Sequence, residues 1–199
     1  MKILAIALLL TSAVLAQEAK PTLVQPGKLI AEPDLKGPLP AEWAVQKGTW
    51  DIKDGEMVVT QLEEQKHGPV LWYKVSLASA IVECEFKFDG ANSFILGCDS
   101  NHHIGRLAIN KKGMRLQEDS HEGKGKPPVP ALAQADLDLK PGEWYKIRYE
   151  WAGDKMAATL GEKSIQATHP ALDQKRSRWW FASGGSKLVL RNIKVWEGK

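Results

Sequence analysis

Glu83, Glu85 and Lys87 alternate along one stretch of the chain, and Arg106, Gln117, Asp119 and His121 alternate along a later pair of stretches. In an extended strand successive side chains point to opposite faces, so each set projects from one side. Carboxylate, amide, guanidinium and imidazole groups gathered on a sheet face suit a hydroxyl-rich ligand, because each can exchange paired hydrogen bonds with a polyol. Acid–base cleavage between sugar units needs two carboxylates at a set separation. Glu85 and Asp119 are the pair this sequence offers, with His121 as the third catalytic candidate. Lys87, Arg106 and Gln117 are then expected to bind the substrate, together with Trp180. In a strand Trp179 and Trp180 face opposite ways, so one belongs to the core and the other is a stacking platform or a rim residue. A solvated outer face of an antiparallel sheet carries the same polar alternation without any chemistry.

Other chemistries find less support. Asp99, His102, His103, Asp119 and His121 hold metal-ligating groups. Their spacing matches no closed zinc motif, and adjacent His102 and His103 point to opposite faces of a strand, so no metal is expected. No Ser-His-Asp or Cys-His nucleophile pattern, phosphate loop or dinucleotide fingerprint is present, and no cofactor is expected. The one basic cluster, Lys175-Arg176-Ser177-Arg178, reads as a solvated loop.

The elements that must position these groups are short alternating runs separated by turn residues, the pattern of an all-β sandwich. Trp50–Lys53 and Glu56–Thr60 flank Asp54-Gly55, whose positive φ angles suit a tight type I′ hairpin turn. Ile104–Asn110 and Met114–Asp119 form a second hairpin, with Leu107 facing Leu116 and Ile109 facing Met114 on the core side. That register sets Arg106 against Gln117, and His102 against His121, on the other side. Ile81–Phe88 and Phe94–Cys98 are expected to form a third hairpin, with Phe88 opposite Phe94 and Cys84 opposite Cys98. The two thiols then lie within disulfide reach if the pair is of the close type. Two buried free thiols are the alternative. Trp50, Trp144 and Trp196 read as core or near-core residues, and Pro130–Asp138 as room for one turn of helix.

The chain has 199 residues, enough for one domain and a short arm. A net charge of +3 excludes the basic excess of a general nucleic-acid binder. Met1-Lys2, an apolar run from Ile3 to Leu10, and small residues at Val14 and Ala16 describe a secretory signal peptide over 1–16. That run is too short to span a bilayer, and no transmembrane segment is expected. The protein is therefore expected outside the cytoplasm, in a periplasm or extracellularly. Five prolines interrupt 17–42, which reads as an irregular arm, leaving 43–199 as a single all-β domain.

Four segments resemble the 3-keto-disaccharide hydrolase domain family, a concanavalin A-like (laminin G-like) jelly roll often labelled family 16 glycoside hydrolase-like. They are Gly48–Gly55, Phe86–Ser93, Pro141–Trp144 and Leu190–Val195, in order across nearly the whole of the chain after the leader. The resemblance implies a two-sheet antiparallel jelly-roll sandwich and hydrolysis of glycosidic bonds in keto-sugars. The family's Glu-x-Gln-apolar-apolar-Asp strand is matched only by Arg115-Leu116-Gln117-Glu118-Asp119, with Arg115 in the Glu position. Those departures describe a reduced branch, and a non-catalytic sugar-binding or cell-envelope interaction module on the same fold is the alternative. Glu83-Cys84-Glu85 is similar to the carboxylate-rich strand of family 16 glucanases, but Lys87 replaces the third carboxylate and removes that mechanism.

Overall fold

The computed structural model describes residues 23–119 and 129–199. The expected leader and His121 lie outside the described residues. Fifteen strands run in chain order: β1 (Pro26–Ala31), β2 (Trp43–Lys47), β3 (Thr49–Lys53), β4 (Glu56–Thr60), β5 (Val70–Tyr73), β6 (Ser79–Phe88), β7 (Ser93–Asp99), β8 (His103–Asn110), β9 (Gly113–Glu118), β10 (Ala133–Asp136), β11 (Tyr145–Ala152), β12 (Lys155–Leu160), β13 (Lys163–Thr168), β14 (Arg178–Gly184) and β15 (Leu188–Gly198). Helical structure among the described residues amounts to two single 3-10 turns, Glu63–Gln65 and Pro170–Leu172.

The strands form two antiparallel sheets. The back sheet runs β13-β12-β11-β6-β15-β4-β3, with β1 also paired to β15. The front sheet runs β10-β9-β8-β7-β14-β5-β2. Each strand gives one parity of side chains to a shared core. Phe86 and Phe88 from the back sheet meet Phe94 from the front sheet, with Phe86 ring centroids 5.3 Å from each of the other two. Trp151 and Trp179 meet edge to face at 6.1 Å. Burying a large apolar side chain of this kind is worth about 1.5–3 kcal/mol over leaving it in water.

The local hairpins follow the sequence. Asp54 and Gly55 have φ of 53° and 78°, and Trp50 pairs with Val59 across them. Leu107 pairs with Leu116, Ile109 with Met114 and Arg106 with Gln117.

The expected hairpin of β6 with β7 does not form. These strands lie in opposite sheets, and Asp89–Asn92 carries the chain from one to the other. The crossing is held by the β14–β15 connection, which makes the same passage beside it. Asp89 N and Ala91 N donate to Lys187 O at 3.0 and 3.2 Å, and Asn92 N to Gly184 O at 2.8 Å. Gly90 has φ of 113°, and a Cβ there would lie 2.2 Å from Ser186 O, so the two connections touch backbone to backbone. Cys84 therefore belongs to the back sheet and Cys98 to the front sheet, both as buried free thiols.

Two further expectations are corrected. Residues 133–136 pair with β9 as strand β10 instead of turning into helix, because β9 leaves an open edge beside them. The Pro-rich arm contains a strand, β1, whose ladder to β15 is broken by register shifts. Of the three Trp expected in or near the core, Trp50 is buried, and Trp144 and Trp196 are half-buried.

Candidate functional site on the front sheet

The outer face of the front sheet carries an aligned row of paired residues across six strands: Ala44, Trp72, Trp180, Gly97, Arg106 and Gln117. The row exists because each strand gives its other parity to the core: Leu71 and Tyr73 flank Trp72, and Trp179 and Phe181 flank Trp180. Trp180 is 6% exposed and lies against Gly97, where a Cβ would come within 2.2 Å of the indole. Only glycine leaves room for that ring. Trp180 is thus a covered floor and not an open platform, whereas Trp72 beside it is half-buried.

Beside the row sits Asp99, at 0% exposure. Its Oδ1 accepts from Trp180 Nε1 at 2.8 Å and pairs with His103 Nδ1 at 2.7 Å, while its Oδ2 accepts from Arg178 Nε at 2.7 Å. Burial alone would push this carboxyl up. The hydrogen bonds and positive charge of His103 and Arg178 outweigh burial and hold it below the ordinary carboxylate value. The Arg178 guanidinium, so anchored, lies 3.9 Å from the centroid of the Trp72 ring, a cation–π contact.

His103 reaches this side through an irregularity in the ladder. Cys98 pairs with Gly105, yet the next residue, Asp99, pairs with His103, so Ile104 is the extra residue of a bulge. Strict alternation from Arg106 would send His103 to the core side. The bulge reverses its direction, a common use of bulges. Strict alternation of the two histidines is thereby corrected, and His102 lies exposed at the strand entry.

Of the residues singled out by sequence, the front sheet brings together Arg106, Gln117, Asp119 and Trp180. Arg106 Nε lies 3.4 Å from Asp119 Oδ1, and Gln117 Nε2 donates to Val129 O at 2.8 Å. Glu85 and Lys87 are not with them. They project from β6 on the outer face of the back sheet, with the whole core between. Stacked sheets lie about 10 Å apart even before outward side chains are added, so Glu85 and Asp119 cannot flank one bond. Glu85 instead accepts from Arg191 Nε at 2.7 Å and Asn192 Nδ2 at 3.0 Å. Partial burial raises its carboxyl, but these bonds outweigh it and keep it below the ordinary range, the wrong direction for a general acid. Lys87 and Arg191 both lie over the Trp144 ring, at 4.6 and 3.9 Å. On the same face Arg148 Nη1 donates to Glu83 at 2.6 Å and its Nε to Glu150 at 3.0 Å, and Glu150 Oε2 accepts from Leu23 N and Val24 N.

The basic cluster also departs from a solvated loop. Arg176 is 4% exposed and donates to the carbonyls of Ala78, Gly153 and Leu172, while Arg178 joins the Asp99 group. Sequence reasoning missed Trp72, Asp99 and Arg178 as one cluster. The parity of Trp72 between Leu71 and Tyr73, and of Trp180 beside Gly97, was the available signal. Among the described residues no three His, Cys, Asp or Glu side chains converge as metal ligands. No helix among them is long and apolar enough to cross a membrane.

The face therefore offers indole surface together with guanidinium and imidazole groups fixed by a buried carboxylate. It suits recognition of a polar ligand with apolar ring faces.

No protein-family model matches the chain, and no curated protein matches it in sequence. Solved structures do share its architecture. A carbohydrate-binding module, CBM66 from Bacillus subtilis, superposes with a TM-score of 0.63 at 12% identity, covering 78% of this chain and 95% of that one. A Bacillus subtilis protein of unknown function with a galectin-like fold gives 0.64 at 10% identity, covering 88% and 98%. SCLam, a non-specific endo-β-1,3(4)-glucanase from family GH16, gives 0.63 at 11% identity, covering 90% and 95%. The chain has the two-sheet antiparallel jelly-roll fold of the concanavalin A-like kind.

Proposed function

We propose that this protein is a carbohydrate-binding domain whose ligand lies on the outer face of the front sheet. The observation that carries the reading is the buried carboxylate of Asp99, which fixes Arg178 over the half-buried Trp72 ring and holds His103 and Trp180 beside it. An aromatic ring takes the apolar face of a pyranose, while pre-oriented charged donors take its hydroxyls. Pre-orientation lowers the ordering cost of binding. The similar structures include a carbohydrate-binding module and a glucanase, which supports a sugar ligand by analogy of fold. The leader-like first 16 residues support an extracytoplasmic place of work.

The test is a glycan and keto-sugar panel read for binding and for product release. Arg178→Ala and Trp72→Ala should each weaken the best binder about tenfold to hundredfold, the scale of a lost hydrogen bond to a charged group or a lost ring contact. Unchanged affinity in both variants would remove the front face from consideration.

Hydrolysis of a keto-disaccharide is the second reading, favoured by the resemblance and by the Asp99–His103 pair. A carboxylate bonded to Nδ1 fixes an imidazole for proton transfer. On this reading His103→Ala and Asp119→Asn lose product release, while Glu85→Gln keeps it.

A further inference from the structure

Next to the aromatic row, on the same outer face, lies a cavity of about 380 Å³ that the reading above does not use. That volume falls within the usual span of ligand pockets, about 300–1,000 Å³. Its floor is Ile95 and Ala108, paired across β7 and β8, and its wall continues along the same register to Arg115 and Gln134. This register row is displaced by two residues along every strand from Gly97, Arg106 and Gln117, or about 7 Å. The two rows are thus neighbours on one surface.

The lining chemistry fits hydroxyl groups. Arg115 and Gln134 are exposed, paired with each other across β9 and β10, and Asp136 stands at the same rim. Asn110 commits its side-chain carbonyl to Lys112 N and Gly113 N at 2.8 and 3.0 Å, which leaves its NH₂ group as the donor it offers. Compact residues form the floor, and long polar ones stand at the side. A sugar ring laid on Ile95 and Ala108 meets donors and acceptors at its edge.

Resting on the carbohydrate reading, we infer that this cavity is a second subsite and that the ligand is a linear glycan longer than a disaccharide. The reason is distance. From Trp72 on β5 to Gln134 on β10 the ligand crosses five strand spacings, about 24 Å in all. A disaccharide held at the aromatic row does not reach the cavity, whereas a longer chain occupies both at once. Linking the two contacts in one molecule raises affinity without any new kind of contact.

The experiment titrates the intact protein calorimetrically with cello-, laminari-, manno- and alginate-oligosaccharides of two, four and six units. In the series that binds, the hexasaccharide should bind at least tenfold tighter than the disaccharide. Arg115→Ala, an exposed change, should weaken the hexasaccharide about tenfold and leave the disaccharide at its wild-type affinity. Ala108→Trp, checked for an unchanged melting temperature, should bring the hexasaccharide down to the disaccharide's affinity. Equal affinities for two and six units overturn the second subsite and leave the carbohydrate reading standing. Hexasaccharide affinity that survives both Arg115→Ala and Ala108→Trp overturns it as well. Absence of binding in every series overturns both.

Discussion

Exchanging Asp99 for asparagine keeps the shape of the side chain and removes its charge. The amide cannot accept from Trp180, His103 and Arg178 as the carboxylate does, and its own NH₂ is brought against one of them. The expected loss is about 2 kcal/mol at neutral pH, the scale of hydrogen bonds to a charged group, read from urea unfolding. The acid side of the stability curve should change with it. Asp99 sits below its ordinary value of 3.8 in the folded chain. A depressed carboxyl contributes stability that is present above the unfolded value and lost as pH falls through the folded one. Wild-type melting temperature should therefore drop on acidification below about pH 4, and Asp99→Asn should drop less steeply over that window. At Gly97 the expected effect is steric. Gly97→Ala places a methyl carbon 2.2 Å from the Trp180 ring, so the indole must move. Overpacking of this kind costs about 1–3 kcal/mol, and the near-ultraviolet circular dichroism of the tryptophans should change with it.

Strand register was legible wherever partners are close in the chain. The β8–β9 hairpin follows from alternation on both arms of a short turn, and its pairs Arg106–Gln117 and Leu107–Leu116 appear as expected. The β6–β7 relation was not legible. Alternation states which residues of each strand face the core, and that statement is equally true whether the strands share a sheet or lie in opposite ones. Phe86, Cys84, Phe94 and Cys98 all point inward in either arrangement. What decides is the crossing at Asp89–Asn92 against Gly184 and Lys187, some ninety residues on, which no local pattern encodes. The same ambiguity put Glu85 beside Asp119 when only Asp119 belongs to the front face. The bulge at Ile104 hid the direction of His103 in a similar way, since one extra residue reverses parity. The sheet assignment carries a direct chemical expectation. Cys84 and Cys98 remain thiols, so unfolding the oxidised protein without reductant should expose two groups to iodoacetamide, counted by mass spectrometry. A single disulfide, with neither thiol labelled, would contradict the separation of β6 and β7.

Across the molecule the two sheets play different parts. The front sheet carries the aromatic row and the adjoining cavity. The back sheet covers its outer face with ion pairs, Glu83 with Arg148 and Lys146, Glu85 with Arg191, and Glu150 with Arg148. Partly exposed pairs of this kind contribute little to stability, and removing one partner of the buried Arg148–Glu150 pair costs far more than the pair itself is worth. The all-β class, the two-layer arrangement and most strand positions were readable from alternation and turns, because those signals repeat along the whole chain. The division of labour between the sheets was not, because it depends on which strands are neighbours.

The position of β15 sets the order in which the molecule can come into being. This last strand lies between β6 and β4 and also pairs with β1, so three strands of the back sheet have no partner on that side until it arrives. A ribosome delivers it after the other fourteen described strands. The sandwich therefore stays open while the earlier strands are made, and closure is a late event joining residues a hundred or more positions apart. Such non-local pairing is slow, because loop entropy is spent before the contacts form. A nascent chain arrested after Lys187 should stay protease-sensitive and lack the folded protein's tryptophan signal, whereas supplying residues 188–199 as a peptide should restore both. Folding of the shortened chain by itself would show that β15 closes a structure already formed.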